Sequence, residues 1–490
     1  MTISVIIFAL YLIVLVGIGV VTYLRTKSYS DYNLAGRSNN KWITALSAES
    51  SDMSGWLLMG LPGSAYAAGL SSIWILIGLI FGTMLNWMLA ANRLRIASES
   101  YNAFSITEYF EKRLNDKKGT ISLVSGIAIV IIMIINSSAE IIGSGKLLNA
   151  TFGLDYNTGI VIGLLIVVVY TFLGGYMAVS WSNLFQGTIM FFALMLVPAA
   201  VIIKTGDLGG MIDEMYQGMP TFFQFCNGET GFAAFSIILG GLGVGICYFG
   251  VVHVLTCFMS IKESSEIKDS TLIATIWVSL TCFGAVIIGM LGAYLFPGIE
   301  DPEQVFFVMG STFFPPSLLG VFAAAVMAAI LSSVSAYVIV AASAVGANIY
   351  RRYAGNGVDE KKVVSLQRAS VVIISLLAFL MSLKPDAVFS VALLATGGLG
   401  ACFGPLVMFS LYTNKVNRQG AIASVVTGLV TVIVWYYSGL SNYLYEAIPG
   451  MVFSSIVLLA VSKATGGADA SVTEGYESYL KMLASKKRSK

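Results

Sequence analysis

Charged residues are scarce in this chain, and their scarcity determines the class of protein that it encodes. Only 11% of the 490 residues are Asp, Glu, Lys or Arg, and 57% are hydrophobic. Soluble proteins contain about 25% charged residues, so the composition excludes a soluble multidomain protein. It predicts a polytopic membrane protein whose partner is the lipid bilayer. The net charge of +2 gives no reason to expect a nucleic-acid partner.

Residues that several kinds of chemistry require are also missing. His253 is the only histidine, which excludes a metal site built from several histidines. No GxxxxGK[ST] loop occurs, so we expect no nucleotide as a partner. No set of nucleophile, base and orienting residue is visible, so neither an enzyme nor a cofactor is expected. The five cysteines form no CxxC pair and are interpreted mainly as small buried hydrophobic residues.

Long apolar stretches are abundant, and they predict an all-α fold with about thirteen transmembrane helices. The first stretch has no basic residues before it and no convincing cleavage site, so it is interpreted as a retained span and not as a signal peptide. The predicted spans cover residues 3–23, 43–68, 71–91, 120–149, 157–175, 182–203, 231–256, 269–296, 317–349, 363–383, 387–411, 419–438 and 443–462.

Basic residues indicate the orientation of the chain. With thirteen spans and an external N-terminus, every lysine and arginine except Lys146, Lys204 and Lys384 falls on the inner side. The outer loops carry acids instead, which agrees with the positive-inside rule. We therefore predict a multi-pass protein of the cell's inner (plasma) membrane, with its N-terminus outside and its C-terminus in the cytoplasm. We expect it to function as a monomer.

The second predicted span differs from the others because its first half is polar. Residues 45–63 read ALSAESSDMSGWLLMGLPG, so serines and acids crowd the start and glycines interrupt the rest. A carboxylate at the bilayer centre costs roughly 2.5–3.5 kcal/mol on insertion scales, so Asp52 requires a partner or a bound cation inside the bundle. Glycine-interrupted polar backbone at membrane depth is typical of the discontinuous helices with which transporters bind ions and substrates.

A second glycine-interrupted stretch, at residues 237–253, begins five spans later and predicts an inverted repeat. The charged segment 98–118 is predicted to form a short amphipathic helix on the inner surface, and the tail is expected to be loose or to lie on anionic headgroups. The predicted divisions are an additional first helix with an inner loop (1–41), a first repeat of spans 2–6 (42–204), a second repeat of spans 7–11 (205–412), two additional helices (413–463) and a cytoplasmic tail (464–490).

Few ionisable residues lie within the predicted spans, and each has two interpretations. Asp52 either contacts a cation or the substrate, or only fixes the broken helix through hydrogen bonds. Glu49, one turn earlier, is either functional or simply solvated in an inner vestibule. Glu140 either contacts a polar or cationic substrate group, or pairs with Lys146 or a hydroxyl. His253 ends its predicted span and is interpreted as a satisfied interfacial histidine rather than a proton relay.

A second polar group lies in the ninth span, where residues 328–335 read AAILSSVS. Ser332 and Ser333 follow Ala329 by three and four positions, so their side chains lie near its carbonyl. With two carbonyls from the break in span 2, this group would supply five oxygens without a fixed negative charge, which suits a monovalent cation better than calcium. Serines also back-bond within apolar helices, so the motif predicts a site only in combination with the broken helix.

Four motifs carry a family resemblance that covers essentially the whole chain. They are SDMSGWLLMGLPG at 51–63, GGYMAVSW at 174–181, YFG at 248–250 and FGPLVMFSLY at 403–412. These motifs resemble the sodium/solute symporter family, and within it the bacterial sodium/proline symporters. The resemblance implies a five-plus-five inverted-repeat transporter core in which the first helix of each repeat is broken.

The resemblance also implies which residues bind the coupling ion and the substrate. It gives Asp52 a part in tight sodium use. The implied sodium ligands are the carbonyls of Ser50, Met53 and Ala329 and the hydroxyls of Ser332 and Ser333. The positions that it places at or near the substrate are Ser54, Gly55, Trp56 and Tyr248.

Departures from the proline branch lie at the predicted substrate site. Asn136 and Val244 replace aromatic residues, and Glu140 replaces a glycine, as Glu49 does. We include Asn136, Glu140 and Val244 among the substrate-binding residues, which makes that site wider, less aromatic and more acidic. Asn183 stands where some members have an aspartate that serves a second sodium ion, so one sodium ion per cycle is expected.

These observations predict a sodium-coupled secondary active symporter that imports a small amino acid by alternating access, with proline as the first candidate. Another amino acid or a cationic amine is the alternative substrate. Proton coupling is the alternative mechanism, because the acids and the histidine of the spans could titrate. An ion channel is the alternative from another class, and it is disfavoured because the polar residues gather at two helix breaks instead of lining a continuous pore.

Overall fold

The computed structural model describes residues 2–25, 28–346 and 360–488, and this part of the chain is all-helical. The first half contains α1 (Thr2–Arg25), α2 (Tyr29–Leu34), α3 (Lys41–Asp52), α4 (Ser54–Leu58), α5 (Gly60–Ala68), α6 (Ile73–Asn86), α7 (Asn92–Ser100), α8 (Ile106–Arg113), α9 (Thr120–Phe152), α10 (Tyr156–Thr205) and α11 (Leu208–Gly218). The second half contains α12 (Gly231–Ile246), α13 (Val252–Ser260), α14 (Ile267–Leu295), α15 (Val305–Phe313), α16 (Leu319–Val345), α17 (Glu360–Met381), α18 (Val388–Tyr412), α19 (Arg418–Tyr437), α20 (Ala447–Ala464) and α21 (Ala470–Arg488).

The described residues include eleven helical stretches that are long and apolar enough to cross a membrane. Two predicted spans do not stand alone among them. Part of the second is continuous with the third in the stretch Ser54–Ser100, and the fifth contains the shorter apolar helix Tyr156–Val169. Gly175, with φ of 57°, separates the fifth span from the sixth within α10, a conformation that glycine adopts readily. The all-α membrane fold is confirmed, and the count of thirteen spans stays a prediction.

Two helices are interrupted in the middle of the bundle, as the sequence predicts. α3 ends at Asp52, Met53 leaves the helical conformation with ψ of 10°, and α4 then begins. α12 runs into a short 3-10 turn, after which Val251 is extended, with φ of −71° and ψ of 95°, before α13 begins. Serine, aspartate and glycine favour caps and turns over helix interiors, so the polar sequence at the first break favours this interruption.

The broken helix α12 crosses α6 at very short distance because glycines face each other. A Cβ atom on Gly245 would lie 1.7 Å from the carbonyl oxygen of Gly78, and one on Gly82 would lie 2.2 Å from that of Gly245. Small residues at such crossings allow two membrane helices to approach with their backbones in contact. The crossing fixes α12, the half of the broken helix before the interruption, against its neighbour.

The C-terminal tail is not loose, contrary to the expectation from sequence. It forms α21, whose Tyr479 is fully buried and whose Lys486 pairs with Glu99 at 2.7 Å. Arg113, at the end of α8, packs over the ring of Tyr476 and donates to the carbonyl of Ser410 at 3.0 Å. The tail therefore binds the ends of α7, α8 and α18 through aromatic and ionic contacts that are distant in sequence.

Candidate functional site

The oxygen atoms predicted to bind sodium converge between α3 and α16. The carbonyl oxygen of Ser50 accepts hydrogen bonds from Oγ of Ser332 at 2.7 Å and from Oγ of Ser333 at 3.3 Å. Ser332 also lies 2.8 Å from the carbonyl oxygen of Ala329. All four residues are completely buried. Two hydroxyl and two carbonyl oxygens are thereby brought together without an acid among them.

The local structure explains this convergence. The last four carbonyls of a helix lack partners within it, and Ser50 lies in the last turn of α3. That carbonyl is therefore free to accept from α16, where the serines follow Ala329 by three and four positions on the same face. A small monovalent cation at this point would displace these hydrogen bonds, with the hydroxyl hydrogens turned away, and could take all four oxygens as ligands.

Met53, the fifth predicted ligand, lies at the break itself, three positions after Ser50. It is completely buried, and its amide donates to the carbonyl of Glu49 at 2.8 Å. Its sulfur lies 3.8 Å from the hydroxyl of Tyr248. The structure thus places Met53 beside the predicted ligand group, at the point where α3 gives way to α4.

Asp52 connects the two broken helices. Its Oδ2 accepts a hydrogen bond from the hydroxyl of Tyr248, and its Oδ1 lies 3.3 Å from Nε2 of His253. The carbonyl of Asp52 accepts from the indole nitrogen of Trp56 at 3.0 Å. The contacts of its carboxylate are to the second break and not to the serines of α16. Asp52 is therefore placed to act on the predicted sodium ligands through its charge and through the backbone of α3.

Two interpretations of single residues are wrong. Glu49 is not solvated, because only 1% of its surface is exposed and its Oε1 accepts from the indole nitrogen of Trp87 at 2.8 Å. His253 is not interfacial, because it is 2% exposed and α13 continues beyond it to Ser260. Its ring packs against Tyr337 with centroids 4.8 Å apart. Hydropathy alone predicts that the seventh span ends at residue 256, which places His253 near the end of that span.

Glu140 does not pair with Lys146. Lys146 is held by Asp301 at 3.0 Å and by Glu303 at 2.6 Å, whereas Glu140 is completely buried and its Oε2 accepts from the amide of Gly55 at 3.1 Å. That amide belongs to the first turn of α4, where amide groups lack helical partners and negative charge is stabilising. Glu140 of α9 thus caps the N-terminus of α4, the helix that follows the first break.

A small, narrow cavity lies between the two broken helices. Four of the residues that line it were predicted from the sequence: Asp52, Trp56, Val244 and Tyr248. The remaining predicted substrate residues, Ser54, Gly55, Asn136 and Glu140, are buried but do not line this cavity. The ring of Trp56 packs against Phe389, with centroids 5.9 Å apart. Aromatic rings on one wall and a carboxylate on the other suit a small solute with an apolar body and a polar end.

Sequence reasoning missed the α18 side of this cavity, which consists of Phe389, Ala392, Leu393 and Thr396, together with Leu79 of α6. Apolar residues in an apolar span carry no signal of their own. Only Thr396, at the start of the glycine-rich sequence TGGLG, stands out in its span.

A wider cavity adjoins this site on the face that is predicted to be external. Val244 and Leu393 line both cavities. Glu229 and Glu446 add acids to the wall of the wider one. A solute entering from this face therefore reaches the small cavity past an acidic surface.

The opposite face is closed over the same site. The backbones of Asn39 and Ile261 form a bridge, and the side chain of Arg95 donates to the carbonyl of Ile261 at 2.6 Å. Lys41 pairs with Asp269 at 2.6 Å at the start of α3. These contacts join the ends of the broken helices on the face opposite the wider cavity.

Comparisons with known proteins agree with this geometry. The sequence model of the sodium:solute symporter family matches residues 32–428. The high-affinity proline transporter PutP of Bacillus subtilis (strain 168) is 37% identical over 94% of this chain and 98% of its own length. The osmoregulated proline transporter OpuE of the same organism is 35% identical over 93% and 94%. The sodium/proline symporter of Staphylococcus aureus (strain JH9) is 37% identical over 93% and 92%.

Solved structures show the same fold. A substrate-bound, outward-open sodium-coupled sialic acid symporter superposes with a TM-score of 0.79 at 19% identity, over 95% of this chain and 99% of the other. MHP1, a nucleobase-cation-symport-1 family transporter in a closed conformation, superposes with a TM-score of 0.52 at 12% identity, over 92% and 99%. At these identities the similarity concerns the arrangement of the helices and not the substrate.

Proposed function

Because this chain belongs to the sodium:solute symporter family, we propose that it imports a small amino acid by sodium-coupled symport, with proline as the first candidate. The protein is a transporter of the membrane and not an enzyme. We propose further that its N-terminus lies outside the cell, as the distribution of basic residues indicates.

One observation carries the coupling mechanism. The carbonyl of Ser50 at the break of α3 and the hydroxyls of Ser332 and Ser333 on α16 meet within hydrogen-bond distance. A sodium ion bound there would hold α3 against α16. It would do so from neutral oxygens, which bind a monovalent cation weakly enough for release. We propose that Ser50, Met53, Ala329, Ser332 and Ser333 are its ligands.

The link from ion to substrate runs through Asp52. This residue follows the Ser50 carbonyl by two positions and also lines the small cavity. A cation at the ligand group would therefore order the same backbone that presents Asp52, Trp56 and the start of α4 to the solute. Each ligand then favours the conformation that binds the other, and such coupling is reciprocal. Sodium entry supplies about 2.3 kcal/mol per 100 mV of membrane potential, before the concentration gradient is added.

Proline is supported by the names of the relatives and by the cavity. The relatives that are 35–37% identical include proline transporters, and the cavity is lined by the aromatic rings of Trp56 and Phe389 and by the carboxylate of Asp52, which suit a small ring with a charged end. Val244 and Asn136 make the surroundings less aromatic than in that branch. Another small amino acid or a cationic amine is the alternative substrate.

Asp52→Asn and Asp52→Glu together test this mechanism. Asn retains the shape but removes the charge, so sodium affinity should fall by about tenfold or more, since a hydrogen bond to a charged group contributes about 1.5–3 kcal/mol. Glu retains the charge and should be impaired less. The affinities for sodium and for proline are both measured from the thermal stabilisation of the purified protein, with sodium titrated in the presence and absence of proline.

A purely structural role for Asp52 predicts the opposite order, with Asn tolerated and the longer Glu disruptive. Wild-type affinities for sodium and proline in Asp52→Asn would show that this break is not the coupling centre.

A further inference from the structure

Three buried oxygen atoms near the inner side of the small cavity have no hydrogen-bond partner among the described residues. They are Oε2 of Glu49, Oγ1 of Thr83 and Oδ1 of Asn86. None of the three residues is more than 1% exposed. A buried polar group without a partner costs about 1–3 kcal/mol, so such groups are rare in folded proteins. Glu49 lies on α3 and the other two on α6, and a hydrogen bond from Trp87 to Glu49 joins the two regions. Three such oxygens there indicate that something else completes their coordination.

Helix geometry places Thr83 and Asn86 on one face of α6, and a hydrogen bond from Trp87 brings Glu49 to that face. Thr83 precedes Asn86 by three positions and Trp87 by four, so all three side chains lie on the same face. The indole nitrogen of Trp87 donates to Oε1 of Glu49 at 2.8 Å, which fixes that carboxylate against the face. The Asn86 amide group donates to the carbonyl of Tyr248 at 2.8 Å, which leaves its own oxygen as an acceptor.

The backbone is unusual at the same place. Immediately after Asn86, residues Trp87–Ala91 form a π-helical turn between α6 and α7. Single π turns inside α-helices occur frequently at functional sites, because they redirect side chains at the cost of regular hydrogen bonding. The turn begins at the tryptophan that holds Glu49.

Charge gives an independent reason for a bound cation. The carboxyl groups of Glu49, Asp52 and Glu140 are buried around the two helix breaks. Asp52 lies 3.3 Å from Nε2 of His253, and Lys146 is held by Asp301 and Glu303. A buried carboxylate without a positive partner is costly in the membrane. Among the described residues, the only hydrogen bond to the carboxylate of Glu49 comes from the indole nitrogen of Trp87, at Oε1.

We propose that Glu49, Thr83 and Asn86 form a second sodium site, separate from the serine site on α16. Carboxylate, amide and hydroxyl oxygens are the ligands of a hard cation. A proton on Glu49, instead of a cation, would supply one hydrogen-bond donor, whereas a cation could contact all three oxygens. Glu49 and Ser50 are neighbours on α3 and point about 100° apart, so the two sites lie on different faces of one helix. This proposal rests on sodium symport and raises the expected number of sodium ions per cycle from one to two.

Equilibrium binding of radioactive sodium to the purified full chain in lipid nanodiscs, without substrate, tests the proposal across a pH series. The wild type should bind two sodium ions per chain, and Glu49→Gln and Ser332→Ala should each bind one. Thr83→Val leaves the charge of Glu49 in place and keeps the side-chain volume. It should lower the sodium affinity of one of the two sites by about tenfold, as expected for the loss of one oxygen ligand. Thr171→Val is the matched control, because Thr171 is equally buried and its hydroxyl also lacks a partner. It should still bind two.

The proposal is overturned if the wild type and Glu49→Gln bind the same number of sodium ions. The same holds if Glu49→Gln changes only the pH dependence of binding, because Glu49 would then be a proton site. If Glu49→Gln does not fold, Thr83→Val tests the proposal in its place. Unchanged sodium affinity at both sites of Thr83→Val would then overturn it. Failure of the primary site gives a different result, in which Ser332→Ala binds as much sodium as the wild type.

Discussion

Without a bound ion, the hydroxyls and carbonyls of the predicted sodium ligands form hydrogen bonds with each other. Ser332 and Ser333 donate to the carbonyl of Ser50, so the group is neutral and complete without an ion. Binding of a cation exchanges these hydrogen bonds for ion–oxygen contacts of similar number. The net affinity is therefore sensitive to the loss of a single oxygen.

Ser332→Ala and Ser333→Ala should each raise the sodium concentration for half-maximal uptake by about tenfold or more, because each removes one of about five ligands. Folding should be largely retained, because alanine removes only the hydroxyl oxygen and adds no atom to the packed helix. Uptake of labelled proline as a function of sodium concentration measures the effect. Ser335→Ala is the control, because Ser335 is equally buried on α16 but bonds to the carbonyl of Ser332 in its own helix. Equal sodium dependence in all three variants would show that the ligand assignment is wrong.

The environments of the acids could not be predicted from the sequence. The position of Glu49 one turn before Asp52 is visible in the chain, but its partner Trp87 lies 38 residues away. The same holds for Glu140, whose contact with Gly55 joins residues 85 positions apart. Helical periodicity determines which residues share a face. It does not determine which neighbouring helix that face meets.

At the scale of elements, the breaks are predictable and the crossings are not. Serine, aspartate and glycine content identifies the interrupted helices, because each of these residues weakens a helix interior through its own chemistry, whatever its neighbours are. The contact of Gly245 with Gly78 depends on how α12 crosses α6. The docking of α21 depends likewise on contacts with α7 and α8, and composition alone suggested a loose tail.

Gly245→Ala should destabilise the protein, because its Cβ would overlap the backbone of Gly78. Overpacking of this kind costs about 1–3 kcal/mol, and here the neighbour is backbone and cannot rotate away. Thermal unfolding of the purified protein should therefore occur at a lower temperature. Gly17→Ala is the matched control, since no atom lies within 4 Å of a Cβ at that position. Equal melting temperatures for the two variants would contradict the close crossing of α6 and α12.

At the scale of the whole molecule, the wide cavity and the closed face describe one of the two conformations that alternating access requires. The cavity opens on the side of Glu229 and Glu446, and the bridge between Asn39 and Ile261 lies on the other side. The assignment of these faces to the outside and the cytoplasm follows from the distribution of basic residues. It is therefore open to a direct test.

Asp213→Cys and Ala464→Cys should report opposite sides of the membrane. Both positions are exposed, and they lie in segments predicted to be external and cytoplasmic respectively. In a Cys226→Ser background, a membrane-impermeant maleimide should label Asp213→Cys in intact cells and Ala464→Cys only after lysis. The reverse pattern would invert the orientation.

Proteoliposomes containing the purified protein provide the most direct test of sodium-coupled symport. Labelled proline, or each member of a panel of small amino acids and amines, is presented under an inward sodium gradient. In parallel it is presented under an inward proton gradient with choline replacing sodium. We predict accumulation above the external concentration with sodium, at every pH, and its collapse when a sodium ionophore is added. Accumulation driven by the proton gradient without sodium, or no sodium dependence for any solute of the panel, would contradict the proposed function.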